Sequence, residues 1–189
     1  MGRRAGRSPE ATRRLLLDAA ADLVRTRGLG ASLDEMARAA GVSKGGLIYH
    51  FASKDELVLA LAQDLLDEFR EAVRTSLDPA DTGPGRLTRA YVRACLDPAA
   101  DERTARELII LTAQLMTSAE VAELARRDEE RWAAELAEDG LPPDVVTLVR
   151  AAADGASSAP LWGGPAAPAF QRLREQLLAL TREPGRWVG

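Results

Sequence analysis

Apolar residues in this chain recur three and four positions apart and almost nowhere at every second position. That is the repeat of helices, not of strands. Start and stop signals cut the pattern into segments. "SPEATRRLLLDAAADLVRTRG" opens with Ser8 as an N-cap and Pro9 at the first helical position, and Gly28 closes it. Leu16, Ala19, Ala20 and Leu23 are expected to share its inner face. "SLDEMARAAG" begins with Ser32 and Glu35 at capping-box spacing, carries Leu33, Met36, Ala37 and Ala40 as its stripe, and ends at Gly41. "VSKGGLIYHF" starts a short helix at Ser43. Ser53 and Glu56 repeat the capping-box spacing and open a long helix of about six or seven turns. Its stripe runs Val58, Leu61, Leu65, Phe69, Ala72 and Val73.

Past "DPADTGPG" (78–85), read as a linker, the same repeat continues. A helix from Arg86 to Leu96 stops at Asp97-Pro98. "ELIILTAQLM" (107–116) is apolar nearly all round, which predicts a buried core helix. Thr117 and Glu120 predict a further capping box, ahead of a helix carrying Val121, Leu124, Ala125, Trp132 and Leu136. "DGLPP" (139–143) ends that helix and starts the next, whose end is blurred by Gly155 and Pro160. "GGPAAP" (163–168) reads as a turn, a last helix carries Phe170, Leu173, Leu177 and Leu180, and "EPGRWVG" reads as a loose tail. The fold class is therefore all-α.

Composition narrows the function. With 46% hydrophobic and 29% charged residues in 189, the chain is globular. No apolar run reaches membrane-span length, so no membrane partner and a cytoplasmic location are expected. The single cysteine, Cys95, excludes a disulfide framework and a Cys-based metal site. No cofactor or metal is expected. One histidine, one cysteine and no paired catalytic motif make an enzyme a poor reading. The net charge of −4 speaks against a polyanionic partner until it is divided: residues 1–54 carry +5 and the remainder −9. A basic head on an acidic body places any contact with nucleic acid in the head.

The head also holds the concentrated chemistry. Both lysines, Lys44 and Lys54, and the sole histidine, His50, fall within "VSKGGLIYHFASKDEL", beside Tyr49 and the Gly45-Gly46 pair. Residues 32–51 have the spacing of a helix-turn-helix, whose second helix enters the DNA major groove. Small residues at Ala37, Ala40, Gly41 and Val42 let two short helices cross closely. Leu47, Ile48 and Phe51 are expected to hold the second helix to the first, leaving Ser43, Lys44, Gly45, Tyr49 and His50 outward. Each glycine in so short a helix costs about 1 kcal/mol relative to alanine. Close approach of backbone to phosphates or base edges offsets that cost. Ser43 at a helix N-terminus, Lys44, Tyr49, His50 and Lys54 are all suited to phosphate contact. Singly, each has a structural explanation: an entry turn, a capping histidine, a solvated lysine.

"SLDEMARAAGVSKGGLIYHFASKDELV" resembles the DNA-binding segment of the TetR/AcrR family of bacterial transcriptional regulators. The shared pattern is a capped helix, A-x-x-A-G-V-S, a glycine-containing recognition helix, Y-H-F, then S-K-x-x-L, over residues 8–60. The resemblance implies an N-terminal helix-turn-helix domain (1–52) and a helical regulatory domain (53–189) that binds an effector and dimerises. It implies a homodimer on a palindromic double-stranded DNA operator, released by a small-molecule effector, most commonly as a repressor. Carried over by position, DNA contacts fall at Ser32, Ser43, Lys44, Gly45, Gly46, Tyr49, His50 and Lys54. The chain departs from the pattern at Gly46, where many members have threonine, and at Ile48, where many have tyrosine.

The family's pocket lies among the middle helices, which makes Tyr91, Cys95, Leu108, Leu111, Met116 and Trp132 the candidate effector contacts, although apolar stripes usually build core. Phe170, Leu173, Leu177 and Leu180, with the small residues of "AAADGASSA", are the candidate dimer surface. Intramolecular packing is the alternative use of those four. The competing reading for the whole chain is a helical interaction protein that has lost specific DNA binding.

Overall fold

The computed structural model describes residues 8–96, 102–162 and 167–186. The outer residues of the basic head (Arg3, Arg4, Arg7), the Asp97-Pro98 stop, positions 163–166 of the expected turn and the end of the tail lie outside them. Among the described residues all regular structure is helical: α1 (Pro9–Arg27), α2 (Leu33–Ala39), α3 (Lys44–His50), α4 (Lys54–Thr75), α5 (Arg86–Cys95), α6 (Glu102–Leu115), α7 (Ala119–Ala137), α8 (Pro143–Ser157) and α9 (Ala167–Arg182). Short 3-10 turns occupy Gly28–Gly30, Ala159–Trp162 and Pro184–Arg186, the last inside the segment read as a loose tail.

Two compact units form. The first comprises residues up to Leu65 together with Ile110–Leu124, and the second comprises Leu66–Ile109 and Ala125 onward. The boundary expected after residue 52 falls inside the first unit, because Leu57, Val58, Leu61 and Ala62 of α4 share one core with α1–α3. Leu111 and Leu115 of α6 join that core. On α1 the buried residues are Leu16, Leu17, Ala20 and Val24, so the stripe is rotated slightly from the expected one and Ala19 and Leu23 are half-buried.

Caps read from the sequence are present. The Ser8 hydroxyl accepts from Ala11 N–H, and Ser32 and Glu35 form the reciprocal capping box. Ser53 Oγ accepts from Glu56 N–H at 3.0 Å, while the Glu56 carboxylate reaches back to Ala52 N–H rather than to Ser53. At the start of α7 the expectation fails by one residue. Ser118 is the cap, accepting from Val121 N–H, and the Thr117 hydroxyl donates to the Gln114 carbonyl at the end of α6. Nor is α6 buried all round. Leu111 and Leu115 are buried but Leu108 is exposed, as is Met116 just past the helix end.

In the second unit the expected linker 78–85 is a built loop. Arg89, 3% exposed, donates to both carboxylate oxygens of Asp81 at 2.6 and 2.7 Å and to the carbonyls of Gly83 and Pro84. This pairing holds the Asp81 carboxyl below the usual carboxylate range. Gly85 closes the loop at φ +81, and a Cβ there would lie 2.8 Å from Arg89 and Leu141. Asp139 caps α5 from across the unit, accepting from Leu87 N–H, Thr88 N–H and the Thr88 hydroxyl at 2.7–3.0 Å. The core beneath contains Val92, Trp132, Leu136 and Val149. Leu177 and Leu180 belong to it at 5% and 4% exposure, with Phe170 and Leu173 half-buried against it. Leu177 and Leu180 therefore pack inside the second unit, while Phe170 and Leu173 keep part of their surface exposed.

Candidate functional site

The turn between α2 and α3 is set by Gly41. The N–H of Val42 donates to the Ala37 carbonyl and that of Gly41 to Arg38, with Gly41 at φ +66. This is the paired closure of a helix that ends on a left-handed residue. Val42 is then the residue before the cap of α3, whose N-cap Ser43 accepts from Gly46 N–H at 3.0 Å. The Ser43 O–H remains a donor.

Leu47 and Phe51, four residues apart, pin α3 to the core. The Arg13 guanidinium covers the Phe51 ring at 5.2 Å. Ile48 does not share this role. It is 45% exposed and points outward with Tyr49, which is 81% exposed. At 100° per residue, position 48 falls outside the arc that contains 47 and 51. His50 is half-buried and meets the Tyr49 ring edge-on at 5.2 Å. Gly45 is exposed, and a Cβ there would meet nothing within 4 Å. At Gly46 a Cβ would sit 3.3 Å from the Ser43 hydroxyl.

Three of the expected DNA contacts are also engaged within the protein. The Ser32 hydroxyl donates to Glu35 at 2.8 Å, so donating to a phosphate would require giving up that bond. Lys44 pairs with Asp34 at 3.1 Å, but both are well exposed. Such pairs are weak and exchangeable. Lys54 is half-buried and donates to the Leu29 carbonyl, which ties the start of α4 to the α1–α2 connection. Ser43, Lys44, Gly45, Tyr49 and His50 thus lie along one short helix with its outer face open, and Gly46 stands against its cap. Ser32 and Lys54 stand beside it as members of the scaffold. No sequence signal marks the Arg14 bridge from α1 to Asp64 of α4 at 2.8 Å.

The six effector candidates separate. Tyr91, Cys95 and Trp132 converge in the second unit, Leu111 lies in the core of the first, and Leu108 and Met116 are exposed. Tyr91 stacks edge-on against Trp132 at 5.2 Å and Phe69 at 5.3 Å. Its hydroxyl donates to Asp154 at 2.7 Å. Burial, with the neighbouring Cys95 and Asp154, raises the Tyr91 phenol well above its usual range. Burial and Asp154 push the Cys95 thiol up to about 12, so it is protonated and unreactive. Arg70 lies over Trp132 at 4.3 Å and pairs with Asp128 and Glu135. A groove of about 380 Å³ opens between α7 and α8, with Leu136 and Val146 as apolar wall and Glu129, Arg150 and Asp154 as polar rim. None of the six candidates lines it. Among the described residues no cluster of His, Cys, Asp or Glu has the arrangement of a metal site, and no single helix is long and apolar enough to cross a membrane.

Comparison with known proteins places this geometry. Residues 16–61 match the family described as bacterial regulatory proteins, tetR family. Residues 85–182 match the tetracyclin repressor-like C-terminal domain. The chain is 40% identical over 81 residues to the transcriptional repressor KstR2 of Rhodococcus jostii, covering 40% of each protein. It is 43% identical over 97 residues to the transcriptional activator FasR of Mycolicibacterium smegmatis, covering 50% of this chain and 44% of the other. The matches thus span less than half the length of these relatives. A TetR-like regulator from Rhodococcus sp. RHA1 superposes with a TM-score of 0.69 at 25% identity, over 94% of this chain and 97% of that one. A transcriptional regulator from Pseudomonas aeruginosa PAO1, at 18% identity, shares the fold with a TM-score of 0.72 over 92% and 91%. With both domains matched and the helix-turn-helix built as described, the chain belongs to the TetR family of transcriptional regulators.

Proposed function

We propose that this protein is a ligand-responsive repressor that binds a palindromic operator as a homodimer and leaves it when a small molecule binds the second unit. The observation that carries the reading is the outer face of α3. A bare Gly45, an exposed Lys44 and a projecting Tyr49 stand on a helix fixed from behind by Leu47 and Phe51. Such a face suits entry into a major groove, with phosphate contacts at its edges. Ser43, Lys44 and Tyr49 are assigned the phosphate contacts, and Gly45 the close backbone approach. His50 is assigned the role of steadying the Tyr49 ring.

The dimer surface is assigned to the outer face of α8, where exposed Leu148, Ala151 and Gly155 fall three and then four residues apart. Small residues there let a second helix approach closely. The effector is assigned to the second unit near Asp154. Its apolar body would meet Ala133 and Val146, and its polar end Arg150 and Asp154. Helices α4, α6 and α7 each run from one unit into the other, so the two share continuous backbone through which a ligand can bias the head. Only a difference in ligand affinity between the two conformations shifts the population.

The test is a salt-titrated binding assay on DNA flanking the protein's own gene, with scrambled DNA as control. Specific binding should fall steeply with salt, by a slope of about −0.9 per phosphate neutralised. Absence of affinity even at low salt would favour the interaction-protein reading instead. For a molecule that displaces DNA, equal calorimetric affinity for free and operator-bound protein would rule out the coupling. Reporter expression with and without the gene gives the sign of regulation.

A further inference from the structure

Ile48 is the large apolar side chain on a recognition face otherwise made of polar groups and bare backbone. Lys44, Gly45, Ile48 and Tyr49 stand at i, i+1, i+4 and i+5 and so share one side of α3. Ile48 is exposed there while Leu47 and Phe51 bury the adjoining side, so the core has no use for its outer half. Local structure gives it no reason either, since a β-branched residue is a weaker helix former than the unbranched alternatives. It donates and accepts no hydrogen bond, so it offers nothing to a phosphate.

We propose that Ile48 is a specificity-determining residue that packs on the 5-methyl group of thymine in the major groove. The thymine methyl is the apolar group that unmodified base pairs present on that edge. Gly45, one turn before Ile48, has open space where its side chain would be. The backbone can therefore approach the groove floor, and the neighbouring Ile48 side chain comes down with it. The inference rests on α3 entering the groove as proposed above.

The experiment uses the full-length protein and a duplex selected from a random-sequence pool. Each thymine is replaced in turn by uracil, which removes only the methyl, and affinity is read by fluorescence anisotropy. Wild type should lose about three- to fivefold at one or more positions, the value of one buried methyl group. Ile48→Ala should bind less tightly and lose its sensitivity at those same positions, while Ile48→Val should keep most of it. Matched melting temperatures establish that the variants are folded. If no uracil replacement weakens wild type, or if Ile48→Ala stays equally sensitive, Ile48 does not read thymine although the protein binds DNA. If no duplex is selected even at low salt, DNA binding itself falls and the inference falls with it.

Discussion

Gly45→Ala should make the protein more stable and a poorer DNA binder at once. Gly45 lies in the first turn of α3, outside the set of positive-φ glycines, and an added Cβ meets nothing within 4 Å. Alanine therefore fits the backbone without strain and removes freedom from the unfolded chain. The gain is about 0.5–1 kcal/mol, or about 1–4 °C in melting temperature for a chain of this size. The same methyl projects from the face assigned to the groove, where it would hold the backbone off the bases and weaken operator binding by about tenfold, equivalent to ~1.4 kcal/mol. Gly46→Ala is the control. Its Cβ would press on the Ser43 cap oxygen at 3.3 Å, so any gain in stability should be smaller or reversed. Scanning fluorimetry and anisotropy on the same preparations read both effects. A Gly45→Ala protein that is stabilised but binds DNA unchanged would refute the close approach. One that is destabilised would refute the helical geometry assigned to α3.

Other consequences concern the second unit. Asp139→Ala should cost about 2–3 kcal/mol by denaturant unfolding, since it strips a partly buried helix start of three acceptor contacts. Because pairing with Arg89 lowers the Asp81 carboxyl, its contribution is present above the ordinary carboxylate range and is lost as pH falls through the depressed value. Arg89→Met should flatten that acid limb of the stability profile. Cys95, with its thiol pushed up to about 12, should resist iodoacetamide at neutral pH in the native protein and react readily in urea.

What the sequence disclosed was local. Ser8, Ser32 and Ser53 bond backbone three residues on, and Gly41 takes its positive φ within one turn, so spacing alone found them. The outward set on α3 was legible for the same reason, except at Ile48. Apolar character there suggested core, but orientation follows the angle from Leu47 and Phe51, not hydrophobicity. Contacts between distant segments left no periodic trace. Asp139 is more than fifty residues from the helix it caps, and it looked like part of a turn. Asp81 lies in a Gly/Pro-rich stretch with the composition of a linker, and only the burial of Arg89 against it makes that stretch a built loop. Leu177 and Leu180 show a stripe, but a stripe does not say whether the covering helix belongs to the same chain.

The most direct measurement is the salt-titrated affinity of the full-length protein for DNA flanking its own gene, beside Lys44→Ala and Tyr49→Phe. Tight binding to that DNA over scrambled sequence, with both variants weaker and the Lys44→Ala salt slope shallower by about one phosphate contact, is the result expected of the α3 face described here. Equal affinity for both DNAs, or wild-type binding by both variants, would contradict it.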